Sequence, residues 1–143
     1  MRIIRLRFKN INSLEGENEI DFTSSDFTND GLFAITGKTG SGKSSILDAI
    51  SIALYGKTPR VDITGGDNPV MTRGEKDSYS EVVFEVNGRI WKSSWSQERT
   101  RTNNLKPVKR SIADSEDRII ADQMRTCDTE IVNIVGLTFE QFT

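Results

Sequence analysis

The run Gly37-Lys38-Thr39-Gly40-Ser41-Gly42-Lys43-Ser44 fits G-x-x-x-x-G-K-[ST] without a mismatch, a spacing that cradles the phosphates of a nucleoside triphosphate. Gly37, Gly40 and Gly42 leave the backbone free to converge its N–H groups on phosphate oxygens, and a helix opening behind them adds partial positive charge. Lys43 brings a point charge to the β- and γ-phosphates. The Ser44 hydroxyl supplies one magnesium ligand among waters and phosphate oxygens. A glycine-rich turn that merely opens a helix does not account for Lys-Ser set directly after the last glycine.

Such a loop needs a strand before it and a helix after it. Gly31-Leu32-Phe33-Ala34-Ile35-Thr36 is short and apolar, as a buried strand is, and Asp26 to Asp30 before it reads as a loop. Ile46, Ala49, Ile50, Ala53 and Leu54 recur at helical spacing, while Asp48 and Ser51 fall off that stripe. Gly56 is placed to end the helix, with Pro59 beyond it. Upstream, Ile3 to Phe8 alternates like a half-buried strand, Asn10 to Glu17 reads as a polar turn and Asn18 to Phe22 as the antiparallel partner. Lys57 to Ser78 reads as a long loop. Glu81 to Val86, Asn87-Gly88 and Arg89 to Trp95 form a hairpin signal suited to a type I′ turn. Pro107 to Ala113 and Arg118 to Ala121 read as a second hairpin. Met124, Cys127, Ile131, Ile134 and Val135 predict a last helix, capped by Asp122 and closed by Gly136.

At 143 residues, 35% hydrophobic and 28% charged, the chain fits one globular domain, since domains commonly hold about 100–150 residues. No run approaches the roughly 18 apolar residues of a membrane span, and the N-terminus has no uninterrupted apolar stretch, so a cytoplasmic protein without membrane contact is expected. With a single cysteine, Cys127, and no histidine, an internal disulfide, a Cys/His metal site and His-based acid–base catalysis are excluded. Cys127 reads as a small core residue.

Charge is unevenly placed. Between Arg89 and Arg110 seven basic residues face the single acid Glu98, whereas Ser111 to Glu130 holds six acids against Arg118 and Arg125. Such asymmetry can mark a polyanion-facing edge, with Arg99, Arg101, Lys109 and Arg110 as candidate phosphate contacts; the other reading is an ordinary solvated loop. Trp91 and Trp95 share a strand face with Ser93 between them, which favours packing over a core above stacking on bases. A P-loop ATPase also needs a second carboxylate at the end of an apolar strand. Arg118-Ile119-Ile120-Ala121-Asp122 is the nearest match and a poor one. Thr64-Gly65-Gly66-Asp67 is too weak to be read as an ABC signature loop. The end of the chain, Gly136 to Thr143, carries two aromatics and no polar tail, as a fragment does.

Taken with its flanks, the motif resembles the SbcC family of SMC-like, ABC-type ATPases. The resemblance lies in Leu6-Arg7-Phe8-Lys9-Asn10-Ile11-Asn12-Ser13-Leu14, in Gly31 through Ser44, and in Leu47-Asp48-Ala49-Ile50. It continues in Ala53-Leu54-Tyr55-Gly56-Lys57-Thr58-Pro59-Arg60, Met71-Thr72-Arg73 and Trp95-Ser96-Gln97. It implies an α/β fold: the N-terminal lobe of a split ATPase head, with a mixed sheet, the P-loop helix, an antiparallel meander and a C-terminal helix, all within one domain over residues 1–143. It implies ATP and magnesium bound by Gly37, Lys38, Thr39, Gly40, Ser41, Gly42, Lys43, Ser44 and Ser45. Asn12 stands where relatives usually place an arginine near the nucleotide. The implied partners are the C-terminal lobe, a second head sandwiching ATP, an SbcD-like nuclease and double-stranded DNA. The glutamine loop, signature and Walker B carboxylates are not among these residues, which implies a lobe inactive alone. A self-contained P-loop kinase or GTPase, and a nucleic-acid module whose glycine loop only touches phosphate, are the alternative readings.

Overall fold

Alternation decides which side of each strand stays dry. Leu6, Phe8 and Asn10 are buried on β1 (Arg2–Ile11), Ser78, Ser80, Val82 and Phe84 on β3 (Asp77–Val86), and Ser93, Trp95 and Gln97 on β4 (Arg89–Glu98). This period of two belongs to a sheet with one wet face. The computed structural model describes residues 1–23, 43–64 and 66–143, Lys43 by its backbone alone. The remaining elements are β2 (Leu14–Asp21), α1 (Lys43–Tyr55), β5 (Lys109–Asp114), β6 (Ile119–Ala121), α2 (Met124–Val135) and α3 (Phe139–Phe142). The six strands form one sheet in the order β2-β1-β3-β4-β5-β6, antiparallel throughout. The strand expected at residues 31–36, which would make the sheet mixed, and the loop expected at 26–30 lie outside the described residues.

Helix α1 crosses the dry face over β3, β4 and β5 in turn. Ser80 Oγ donates to the Ala49 carbonyl (2.7 Å), Ser93 Oγ to that of Ala53 (2.6 Å), and Arg110 Nη2 to that of Leu54 (2.9 Å). Serines under the helix are short enough to let its backbone approach, and their hydroxyls are satisfied there rather than left dry. Phe8, Phe84 and Trp95 complete the core together with Ile50, Ile52 and Leu54. Trp95 is 1% exposed and Trp91 half-buried against the same core, so packing rather than base stacking is their role.

Two local expectations change. The long polar turn after β1 shrinks to Asn12-Ser13, because Asn10 and Asn12 adopt positive φ (53° and 54°) and turn the chain early, with an irregularity in the pairing between Lys9 and Ile11. Asparagine tolerates that region better than most residues. Asp122 does not cap α2: Gln123 stands at the N-cap, its N–H donating to the Thr126 hydroxyl (3.3 Å), and Asp122 is exposed one residue too early. Other expectations hold. Gly136 (φ 80°) returns its N–H to Val132 O, Gly56 (φ 68°) to Ile52 O, and Asn87-Gly88 takes positive φ at both positions.

The long loop after α1 is ordered by buried amides. Asn68 Oδ1 accepts from the N–H groups of Val70 and Met71, Asn68 Nδ2 donates to Gln97 Oε1 (2.8 Å), and Gln97 Nε2 donates to Lys106 O. Met71 then bridges to Ile11. At the far end of α1, Tyr55 donates its hydroxyl to Leu137 O (2.8 Å) and packs against Phe139 and Phe142 of α3. On the wet face, β2 exposes Glu15, Glu17, Glu19 and Asp21, while β1 offers Arg5 to Glu19 and Arg7 to Glu81. Solvated pairs of this kind contribute little to stability; the acidic edge discourages strand-to-strand association.

Ser93→Val removes a hydroxyl donor and adds volume where α1 lies closest, so it should lower unfolding free energy by about 1–3 kcal/mol in chemical denaturation. Burial pushes the Cys127 thiol up from its ordinary range, and the side chain is fully enclosed. Alkylation by iodoacetamide is therefore expected to follow global unfolding, with native protein unlabelled at pH 7.

Candidate nucleotide site

The residues expected to bind phosphate fall into two groups. Gly37, Lys38, Thr39, Gly40, Ser41 and Gly42 lie outside the described residues. Lys43, Ser44 and Ser45 form the first turn of α1, where backbone N–H groups lack helical partners and the dipole is positive. Ser44 is exposed, whereas Ser45 is buried. An exposed serine hydroxyl on the first turn fits a magnesium ion that keeps most of its shell as water and phosphate oxygen. Such an ion would neutralise phosphate charge, and Ser44 would be this chain's part in holding it. Among the described residues no three of His, Cys, Asp and Glu converge as a metal-binding set. Asp122 stands alone and exposed.

Asn12 is brought to the same turn of α1. Its amide nitrogen donates to Ser45 Oγ (3.1 Å) and to Asp48 Oδ2 (2.9 Å). Its backbone is clamped by the loop, with its N–H on Val70 O (2.7 Å) and its carbonyl accepting from the Thr72 hydroxyl (2.7 Å). Asp48 also pairs with Arg60 from the segment after α1. Periodicity sets Asp48 off the apolar stripe, and it is indeed polar, yet it is 2% exposed; Ser51 is buried likewise, its hydroxyl on Lys57 O. Leu47, an apolar residue of that helix, is instead exposed, at 56%. Asp48 and Arg60 are thus members of the site that sequence reasoning missed. The available signal was an acid four residues after the motif serine, one turn along the same helix face.

The candidate phosphate contacts separate. Arg101 and Lys109 are exposed, and Arg99 is half-buried with Nη1 on Asn103 O (3.0 Å). Arg110 is a correction: its side chain is 1% exposed, paired with Asp128 and bonded to Leu54 O beneath the end of α1. Neighbouring residues of a strand face opposite ways, so Lys109 points to solvent and Arg110 into the core. Gly56 accommodates it, since a Cβ there would meet Arg110 Cδ at 3.2 Å. A different cationic surface appears instead. An open groove of about 970 Å³ runs past Asn12, Thr72, Arg73, Lys76 and Arg99, placing three cations beside the Asn12 turn.

Arg110→Met keeps much of the volume but loses both polar bonds, and should cost about 1.5–3 kcal/mol in a denaturant titration, the range for hydrogen bonds to a charged group. Arg101→Met, at an exposed turn, should change stability by less than about half a kilocalorie per mole.

Residues 5–142 match the family model described as AAA domain. The C subunit of the SbcCD nuclease from Pseudomonas aeruginosa is 35% identical across the whole of this chain, which covers 14% of that protein. The corresponding subunit from Rhodobacter capsulatus is 36% identical over 99% of this chain and 13% of its own length. A probable DNA double-strand break repair Rad50 ATPase from Aquifex aeolicus is 40% identical over 64% of this chain and 9% of its own. The chain therefore spans only a small part of the relatives it matches. A sheet crossed by a helix that opens on Lys43, Ser44 and Ser45, with the family match running through both, places the chain in the AAA domain family, with SbcC subunits as relatives over its whole length.

Proposed function

We propose that residues 1–143 are a single domain, the ATP-binding N-terminal lobe of an SbcC-like ATPase whose nucleotide cycle governs a partner nuclease in the repair and recombination of double-stranded DNA ends. The observation that carries this reading is Asn12 on the first turn of α1. The β1–β2 turn, on which the SbcC resemblance rests, is bonded to Ser45 directly behind the motif's Lys43 and Ser44. The relatives supply the rest: subunits of a nuclease and a repair ATPase, all far longer than this chain.

In this reading Gly37 to Gly42 wrap the phosphates through backbone N–H groups, Lys43 neutralises the β- and γ-phosphates, and Ser44 holds magnesium. Hydrolysis draws on residues from a C-terminal lobe and on a second head that closes over the nucleotide, so the lobe alone turns over no ATP. Leu47, exposed on the helix that carries Lys43 and Ser44, supports a further lobe packing against α1. Arg73, Lys76, Arg99 and Arg101, with Lys109, are the cations offered to DNA phosphates; Arg110 is not among them. A self-contained kinase or GTPase would need a second metal-binding carboxylate at the end of an apolar strand, for which Arg118 to Asp122 is a poor match.

Joining this lobe to a C-terminal lobe should give magnesium-dependent ATP turnover that Lys43→Ala lowers at least a hundredfold, a loss on the scale of removing preorganised charge stabilisation. Equal turnover in both proteins would sink the assignment. Replacing Arg73, Lys76 and Arg99 by glutamine should weaken binding to duplex DNA and flatten its salt dependence by about one unit of slope per lost phosphate contact. Unchanged slopes would place DNA elsewhere.

A further inference from the structure

Asp48 is 2% exposed, and its Oδ2 accepts from both Arg60 and the Asn12 amide. An amide carries two donors at one end and an acceptor at the other, and only the donor end can face a carboxylate. Asp48 therefore fixes which way the Asn12 amide points. That choice fixes the next bond as well. The second amide proton of Asn12 goes to Ser45 Oγ at 3.1 Å, so the serine oxygen accepts from Asn12 and its own proton is free to point elsewhere. The amide has little room to escape this duty, because the Asn12 backbone is held at φ 54° by its bonds to Val70 and Thr72. Arg60 balances the buried carboxylate at that same oxygen and keeps its charge from opposing an anion near the first turn.

We propose that Asp48 is a positioning residue which, acting through Asn12, holds the Ser45 hydroxyl as a hydrogen-bond donor to a phosphate oxygen of bound nucleotide. The inference rests on the nucleotide-site reading given above and assigns polarity within that site: carboxylate to amide, amide to hydroxyl, hydroxyl to phosphate. The amide–carboxylate and hydroxyl–phosphate links are charge-assisted, and the amide–hydroxyl link between them joins two neutral groups. Without the carboxylate, the Asn12 amide is free to turn its oxygen to Ser45, and the serine proton is then drawn away from the phosphate.

The test is the affinity of this chain for Mg-ATP, read by calorimetric titration, with melting temperature measured alongside. Ser45→Ala should weaken binding roughly tenfold, the worth of one charge-assisted hydrogen bond, with little change in melting temperature. Asp48→Asn should produce a similar loss in the wild-type background and no further loss when Ser45 is already alanine. Asn12→Gly serves where Asp48→Asn folds poorly, since glycine accepts the positive φ and removes the amide; it should show the same dependence on Ser45. Losses that add independently of Ser45, or wild-type affinity in both variants, would overturn the relay while leaving the nucleotide site intact. A wild-type chain that binds no Mg-ATP would overturn the site and the relay together.

Discussion

Three side-chain donors from three adjacent strands reach the backbone carbonyls of one helix, and the placement of everything near the nucleotide motif follows from that. Ser80, Ser93 and Arg110 engage Ala49, Ala53 and Leu54. A helix on a purely apolar sheet can rotate or slide while keeping most of its contact area, since the hydrophobic effect has no direction. Hydrogen bonds do have direction, and three of them spaced along one helix fix its axis, its rotation and its depth. The first turn of α1, with Ser44 and Ser45, inherits its position from these bonds, which lie roughly one to three turns further along the helix. Arg110 also places a cation against the negative end of the helix dipole, where it is favourable.

Much of this architecture was legible from residue order. The alternation from Ile3 to Phe8, the Asn87-Gly88 turn, the stops at Gly56 and Gly136 and the shared face of Trp91 and Trp95 each rest on local geometry, and each is present. The misreadings share a cause. Charge counting placed Arg110 with its basic neighbours, although it lies an even number of residues from the buried Ile112 and so on the same strand face. Apolar periodicity set Asp48 and Ser51 off the stripe, and it cannot register a polar side chain that is buried and bonded. The turn after β1 looked long because asparagine's tolerance of positive φ is a property of single residues, invisible to composition.

Buried polar groups do an unusual share of the organising here. Asn68 and Gln97 order the segment between α1 and β3, and Asn12 ties that segment to α1 through Val70, Thr72, Ser45 and Asp48. In a low-dielectric interior such networks are costly when half made and specific when complete. They also connect the Asn12 turn, the first turn of α1 and the rim of the cationic groove, so that a change at one is felt at the others without any large movement.

The acidic edge has a meaning beyond solubility. Glu15, Glu17, Glu19 and Asp21 line β2 at one margin of the sheet, and the β1–β2 turn just before them, at Asn12, opens onto the groove of Arg73, Lys76 and Arg99. A long polyanion drawn to the groove meets repulsion where it strays over β2. The acidic strand thus acts as a kerb beside the groove, bounding the path of whatever phosphates the cations attract.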